Sequence, residues 1–189
     1  MNNKGREDKR IRRSKKIITL TFIDLMKKKD IRNITVTDIA KAADINRGTF
    51  YSHYTDVFDL INKLEDEHID LCAESIRSTL EKGNNDSYVI INSLISYIED
   101  NYDIYKTLFQ SSISTEFEKK LQCLIINTGF MIQNKRKDTP YNRFVLSFIA
   151  NGITGAMKKW ITEENSGIGK EDVINMLNDI IHRTVSALR

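Results

Sequence analysis

A chain of 189 residues with one proline, eight glycines and 40% hydrophobic residues can bury a sizeable core and has few positions at which a helix must stop. No run of about 18 apolar residues is present and the charged start carries no apolar leader, which excludes a spanning helix and points to the cytoplasm. The net charge of +3 is uneven: residues 1–60 hold 14 Lys/Arg against 8 Asp/Glu and the rest hold 15 against 18, so a polyanion partner is expected for the front end alone.

The apolar residues Ile11, Ile18, Phe22, Leu25 and Met26 recur at helical spacing and predict a first helix from Lys9 to Lys29. Its start is a basic arm containing Lys9, Arg10, Arg12, Arg13, Lys15 and Lys16. Asp30–Ile34 reads as a short link. Thr37 is expected to cap a second helix, with Asp38 placing negative charge at its first turn and Ile39, Ala40 and Ala43 forming the buried stripe. Asp44 and Ile45 end it. Asn46 then caps a third short helix, Arg47–His53, and Thr55 with Asp56 caps a long one from Val57 to Leu80. Further helices are predicted at 86–101, 103–111, 114–135, 141–164 and 170–188, with no strand pattern.

The expected fold is therefore all-α: a three-helix, helix-turn-helix DNA-binding domain with a basic arm at 1–55, and a helical regulatory and dimerisation domain at 56–189. The turn between helices two and three places the third helix where a major-groove reader sits. With Ile39, Ala43, Ile45, Phe50 and Tyr54 inward, that helix turns Arg47, Gly48, Thr49, Tyr51, Ser52 and His53 outward, a set without a carboxylate. Arg47 suits a guanine edge or a phosphate, Thr49 a thymine methyl or base acceptor, and Tyr51 and His53 phosphates. Gly48 leaves room for close approach to the duplex. Thr35, Thr37, Lys41, His53 and Tyr54 are expected to contact phosphates or to cap the helices that do.

The stretch Ile34–Leu60 resembles the DNA-binding domain of the TetR family of bacterial transcription regulators. The resemblance is carried by Thr35, Val36, Ile39, Ala40, Ala43, Ile45, Asn46, Gly48, Thr49, Tyr51, His53 and Tyr54 in register ahead of a long fourth helix. Two positions depart from the family pattern: Asp44 stands for the turn glycine, and Val57 stands for a lysine that contacts phosphate at the start of the fourth helix.

The resemblance implies a homodimer on a palindromic double-stranded operator and a small-molecule effector of unstated identity in the C-terminal domain. Repression is its default outcome. Mixed-polarity candidates for the effector site are His68, Cys72, Tyr102, Tyr105, Phe109 and Phe130, each of which also reads as core. Two long apolar helices supply the expected dimer face through Phe148, Gly152, Gly155, Ile174, Leu177 and Ile181; they could equally bury one another within one chain. A C-terminal domain that binds a protein partner, as coactivator or adaptor, is the alternative. Catalysis is not expected, because the sequence carries no nucleophile elbow, phosphate loop or dinucleotide fingerprint. The pair Asp66 and Asp70 on the fourth helix reads as solvated. Three histidines and two cysteines lie too far apart for a local metal motif, so no metal or cofactor is expected and Cys72 and Cys123 read as reduced thiols.

Overall fold

The computed structural model describes residues 3–83, 85–132, 138–163 and 167–185, with side chains from residue 9 onward. Among these residues all regular structure is helical. Two compact units divide the chain, Met1–Asp66 and Glu67–Arg189, and the division falls inside a helix rather than at its start.

In the first unit α1 (Asn3–Met26) is followed by a 3-10 turn (Ile31–Asn33), α2 (Val36–Ala42), α3 (Arg47–Tyr51) and the first turns of α4 (Val57–Glu81). Its core is Ile18, Phe22 and Ile23 of α1, Ile31 and Ile34 around the turn, Ile39 and Ala40 of α2, Phe50 of α3 and Val57, Leu60, Ile61 and Leu64 of α4. Those α4 residues follow helical spacing, which is why the first turns of α4 belong to this unit. The basic start of α1 runs on in helical conformation, with Lys9 to Arg13, Lys15 and Lys16 all exposed. Ile11, expected in the buried stripe, is among them.

The link 30–34 is ordered by its own cap, since the Asp30 carboxylate accepts from the Arg32 N–H at 2.9 Å. The cap of α2 is Thr35 and not Thr37. Thr35 Oγ1 accepts from the Asp38 N–H at 3.1 Å while the Asp38 carboxylate accepts from the Thr35 N–H at 2.9 Å, a reciprocal box that Thr37 stands two residues too late to form. A hydrogen bond from Lys29 at 2.8 Å, joined by those from Thr35, holds the Asp38 carboxyl well below the usual carboxylate range.

The second unit comprises the rest of α4, α5 (Ser87–Asp100), α6 (Tyr102–Gln110), α7 (Ser114–Ile132), α8 (Pro140–Thr162) and α9 (Lys170–Val185). α7 packs along α8, α9 lies against α5 and α8, and α6 touches α7 and α8. Gly129 sets the closeness of α7 to α8: a Cβ there would lie 2.6 Å from Leu146 Cδ2. α8 begins at Pro140 with Thr139 as its cap, a proline place that needs no N–H. The ion pairs Lys158–Glu118 and Lys170–Glu99, each at 2.7 Å, tie α8 to α7 and α9 to α5. Cys72 is buried and Cys123, on α7, is exposed.

Replacing Thr35 with alanine should cost the N-terminal unit about 1 kcal/mol by removing the hydroxyl that caps the Asp38 N–H, while the backbone half of the box persists. Replacing Thr37 should stay within about 0.5 kcal/mol. Urea unfolding followed by far-ultraviolet circular dichroism compares the two, and equal effects would contradict the assignment of the cap.

Candidate functional site

The turn between α2 and α3 closes on two backbone bonds, Ile45 N–H to the Ala40 carbonyl at 3.0 Å and Asp44 N–H to the Lys41 carbonyl at 3.4 Å. Asp44 takes the left-handed conformation in between, with φ of 51°, as an aspartate tolerates better than most residues lacking glycine's freedom. The Asn46 side chain then accepts from the Gly48 N–H at 2.8 Å and starts α3. Phe50, fully buried, fixes the rotation of that helix, and its ring meets Tyr51 edge-on at 5.7 Å and Tyr54 at 5.6 Å.

This rotation places Arg47, Gly48, Tyr51 and Ser52 at the surface and Thr49 and His53 half-buried. Arg47 and Tyr51 stand one turn apart and act as a pair: the guanidinium donates to the Tyr51 hydroxyl at 3.3 Å and lies 5.9 Å from the ring centre. A Cβ on Gly48 would meet only the Asn46 Oδ1, at 3.4 Å, so the fold of this chain does not demand glycine there. Thr35, Thr37 and Lys41 are exposed on α2 or at its start. Tyr54 differs: it is 7% exposed, packed on Phe50 with Lys63 Nζ 5.5 Å from its ring centre, and serves as core.

His53 is tied to α1. Its Nε2 lies 2.7 Å from Ser14 Oγ, while Lys63 donates to the His53 carbonyl at 3.2 Å. Burial, and then the neighbouring positive charge of Lys15, push the imidazole below its usual pKa. Ser14 was not legible as a site residue, for nothing in a serine within a basic helix announces a partner 39 residues away. Val57, in the place of the family's lysine, is buried, whereas Lys63 on the same helix reaches the end of α3.

In the second unit the candidate effector residues do not share one cavity. His68, Cys72, Tyr105 and Phe109 are buried in one cluster with Tyr97 and Phe117, the rings 5.2 to 6.3 Å apart and mostly edge to face. Tyr97 Oη lies 3.3 Å from His68 Nδ1, and Tyr105 Oη lies 3.0 Å from Cys72 Sγ and 3.3 Å from the His68 carbonyl. Burial keeps these groups neutral: it lowers the imidazole of His68, raises the Cys72 thiol to about 11 and Tyr97 to about 12, and raises Tyr105 further. Tyr102, 37% exposed, donates to the Ile161 carbonyl at 2.9 Å. Phe130 is half-buried beneath the Arg143 guanidinium, 5.7 Å from its ring centre. A cavity of about 380 Å³ lies elsewhere, among Ile76, α5, α7, α8 and α9, and none of the six candidates lines it. Its walls are largely aliphatic residues that the sequence presents simply as core, joined by Asn85, Asp86, Ser87, Thr128 and His182.

The expected dimer residues divide. Phe148 is 66% exposed and forms an outward stripe on α8 with Tyr141, Phe144, Gly152 and Gly155. Ile174 and Leu177 face inward, 0% and 2% exposed, and Ile181 lines the cavity. The apolar residues that α9 does present to solvent are Met176 and Ile180. Among the described residues no three His, Cys, Asp or Glu side chains are placed to hold a metal ion, and no helix is long and apolar enough to cross a membrane.

Residues 23–62 match the family model described as bacterial regulatory proteins, tetR family, and residues 85–183 match one described as a transcriptional regulator C-terminal region. The chain belongs to the TetR family. It is a DNA-binding transcription regulator. The uncharacterised regulator YxbF of Bacillus subtilis (strain 168) is 33% identical over 70 residues, which is 36% of this chain and 18% of YxbF. DhaS, the dhaKLM operon activator of Lactococcus lactis subsp. lactis (strain IL1403), is 26% identical over 140 residues, 72% of this chain and 71% of DhaS. A TetR regulator from Streptococcus agalactiae 2603V superposes with a TM-score of 0.69 at 22% identity, over 95% of this chain and 99% of that one. Thermus thermophilus FadR, a repressor in complex with lauroyl-CoA, gives 0.61 at 17% identity, over 93% and 95%. At such identities the two structures speak for the fold alone.

The buried His68 gives the C-terminal unit of this regulator a pH dependence. Unfolded, the imidazole takes a proton near pH 6.5, whereas the folded state resists charging until lower pH. Stability should therefore be full above about pH 6.5 and fall as pH drops below it toward the lower folded value. Trp160, the single tryptophan, reports on this unit. His68→Gln should flatten the difference between unfolding midpoints at pH 7.5 and pH 5.5, and an unaltered difference would refute the attribution.

Proposed function

We propose that this TetR-family member is a homodimeric repressor of a palindromic operator, released by a small-molecule effector. The carboxylate-free outer face of α3, with Arg47 paired to Tyr51 above the buried Phe50, carries the reading. Arg47 and Tyr51 are assigned to the groove, with Thr49 at its edge. Thr35, Thr37, Lys41 and His53 are assigned to phosphates or to positioning, and the cations of α1 from Lys9 to Lys16 to the duplex backbone. Tyr54 is assigned to the core beneath them.

Dimerisation is supported by the stripe of Tyr141, Phe144 and Phe148 beside Gly152 and Gly155, where added Cβ atoms would meet nothing within 4 Å. Exposed aromatic residues flanking small ones suit a second copy of the same helix. Two-fold symmetry then demands two half-sites, with about 34–36 Å between their centres when one turn of DNA separates them. In Thermus thermophilus FadR a repressor is found in complex with a small molecule, lauroyl-CoA, which supports release by an effector. DhaS is named an activator, which supports a second reading in which the C-terminal unit engages a protein partner and promotes transcription.

Selection of genomic DNA by the purified chain at fixed salt tests the proposal. One palindromic sequence is expected, and no enrichment would reject autonomous operator binding. Arg47→Ala should relax preference at one position of each half-site and cost roughly 1–3 kcal/mol per subunit. Neutralising Arg10, Arg12 and Arg13 should instead weaken all sequences alike and flatten the salt dependence. Phe148→Glu should yield monomers in sedimentation and abolish binding to the paired site; an intact dimer would move the interface elsewhere. A reporter that rises when the gene is deleted supports repression, and one that falls supports activation.

A further inference from the structure

We infer that the cavity of the C-terminal unit is a binding site for the aliphatic chain of an uncharged amphiphile, such as an alkyl alcohol, amide or ester, with the polar head at the N-terminus of α5. Only the consequence of binding for DNA rests on the proposed effector-controlled regulation. The binding itself rests on the cavity.

Nine isoleucines line the space of about 380 Å³, with Leu94, Leu146, Leu177, Met157 and Val185. Among its described lining residues the one ring is the His182 imidazole at the polar end, and none is a lysine, an arginine or a glutamate. The aliphatic walls offer no phenyl, phenol or indole face to a planar aromatic ligand and no lysine or arginine to a phosphate or nucleotide. Water gains little against apolar walls, and an engineered apolar cavity of about 150 Å³ in an unrelated protein accepts benzene and stays dry when empty. By that measure the present volume holds roughly a dozen carbons. The residues Ile90, Ile91, Leu94 and Ile95 line two successive turns of α5, so the space follows a helix and suits a chain.

Apart from Thr128 of α7, the polar lining groups gather at the start of α5. Asn85, Asp86 and Ser87 lead into α5, and His182 comes from the last turn of α9. Ser87 Oγ donates to Asn178 Oδ1 at 2.7 Å and lies 3.2 Å from His182 Nε2. Asp86 caps α5, its carboxylate accepting from the Tyr88 N–H at 2.9 Å. That fixed negative charge opposes a carboxylate or phosphate head and leaves hydrogen bonding to Ser87 and His182 for a neutral one. A chain in place would wedge between α8 and α9, whose outer faces carry Phe148 and Ile180. Occupancy would thereby bear on how two copies pair.

Calorimetric titration of the purified full chain, without DNA, with hexan-1-ol, octan-1-ol and decan-1-ol and with the matching carboxylates tests the inference. Affinity should tighten about fourfold per added methylene within the alcohols. Decan-1-ol should bind more tightly than decanoate. Ile125→Phe and Ile90→Phe, which fill the cavity from α7 and α5, should each weaken decan-1-ol by about tenfold or more while the thermal midpoint holds or rises. No binding by any alcohol, affinity indifferent to chain length, or full affinity in both folded variants would overturn the site. Tighter binding of decanoate would overturn the uncharged head. Adding decan-1-ol to the chain on its selected palindrome completes the test. Binding at the cavity with operator affinity unchanged would leave the site standing and reject effector control through it.

Discussion

The burial of Phe50 governs what the N-terminal unit can present to a duplex, because α3, at five residues, is too short to hold a direction by its own hydrogen bonds. Its axis is imposed from outside. Asn46 satisfies the first turn, Phe50 inserts into the core built by α1, α2 and the start of α4, and the Ser14–His53 bond anchors the far end to α1. Arg47 and Tyr51 face outward because Phe50 faces inward, and their contact with each other restrains two side chains that would otherwise sample many rotamers. The exposed face of α3 is thus made stiff by groups that lie behind it or at its ends.

The C-terminal unit contains two interiors of different physical character. Around His68 and Tyr105 the rings meet edge to face, and each polar atom named there finds a partner, so burial leaves the cluster electrically neutral. Around α5 and α9 isoleucine is the commonest wall residue. Branching at Cβ limits each to few rotamers, so neighbouring isoleucines cannot swing inward to close the gap as longer, unbranched side chains would. Gly129 brings α7 onto Leu146 at the side of that same space, so one wall is drawn tight while the interior stays open.

Much of the architecture is legible in the sequence because it follows from local chemistry. Helical periodicity, caps at Asn46 and Asp56, and a break after Ala43 place the elements to within a few residues. The assignment of Thr37 as a cap failed because either threonine could serve by composition, and the choice turned on whether Asp38 could reach back three residues to Thr35. What stays illegible is long-range. No local signal tells that Ser14 meets His53, that Ile174 and Leu177 turn inward while Phe148 turns out, or that the mixed-polarity residues around His68 lie apart from the void that plain isoleucines enclose. Polarity marks a site to the eye, yet here the polar groups pair with one another and the cavity lies among aliphatic walls.

The two thiols differ enough to be told apart by a reagent. Cys72 is fully buried, its proton held up to about 11 by burial, and a maleimide requires an accessible thiolate. Cys123 lies exposed on α7. A spin label or fluorophore added to the natural chain will therefore settle on one position per copy. In a symmetric pair, that gives a single inter-label distance from which subunit arrangement can be followed in solution without altering a residue.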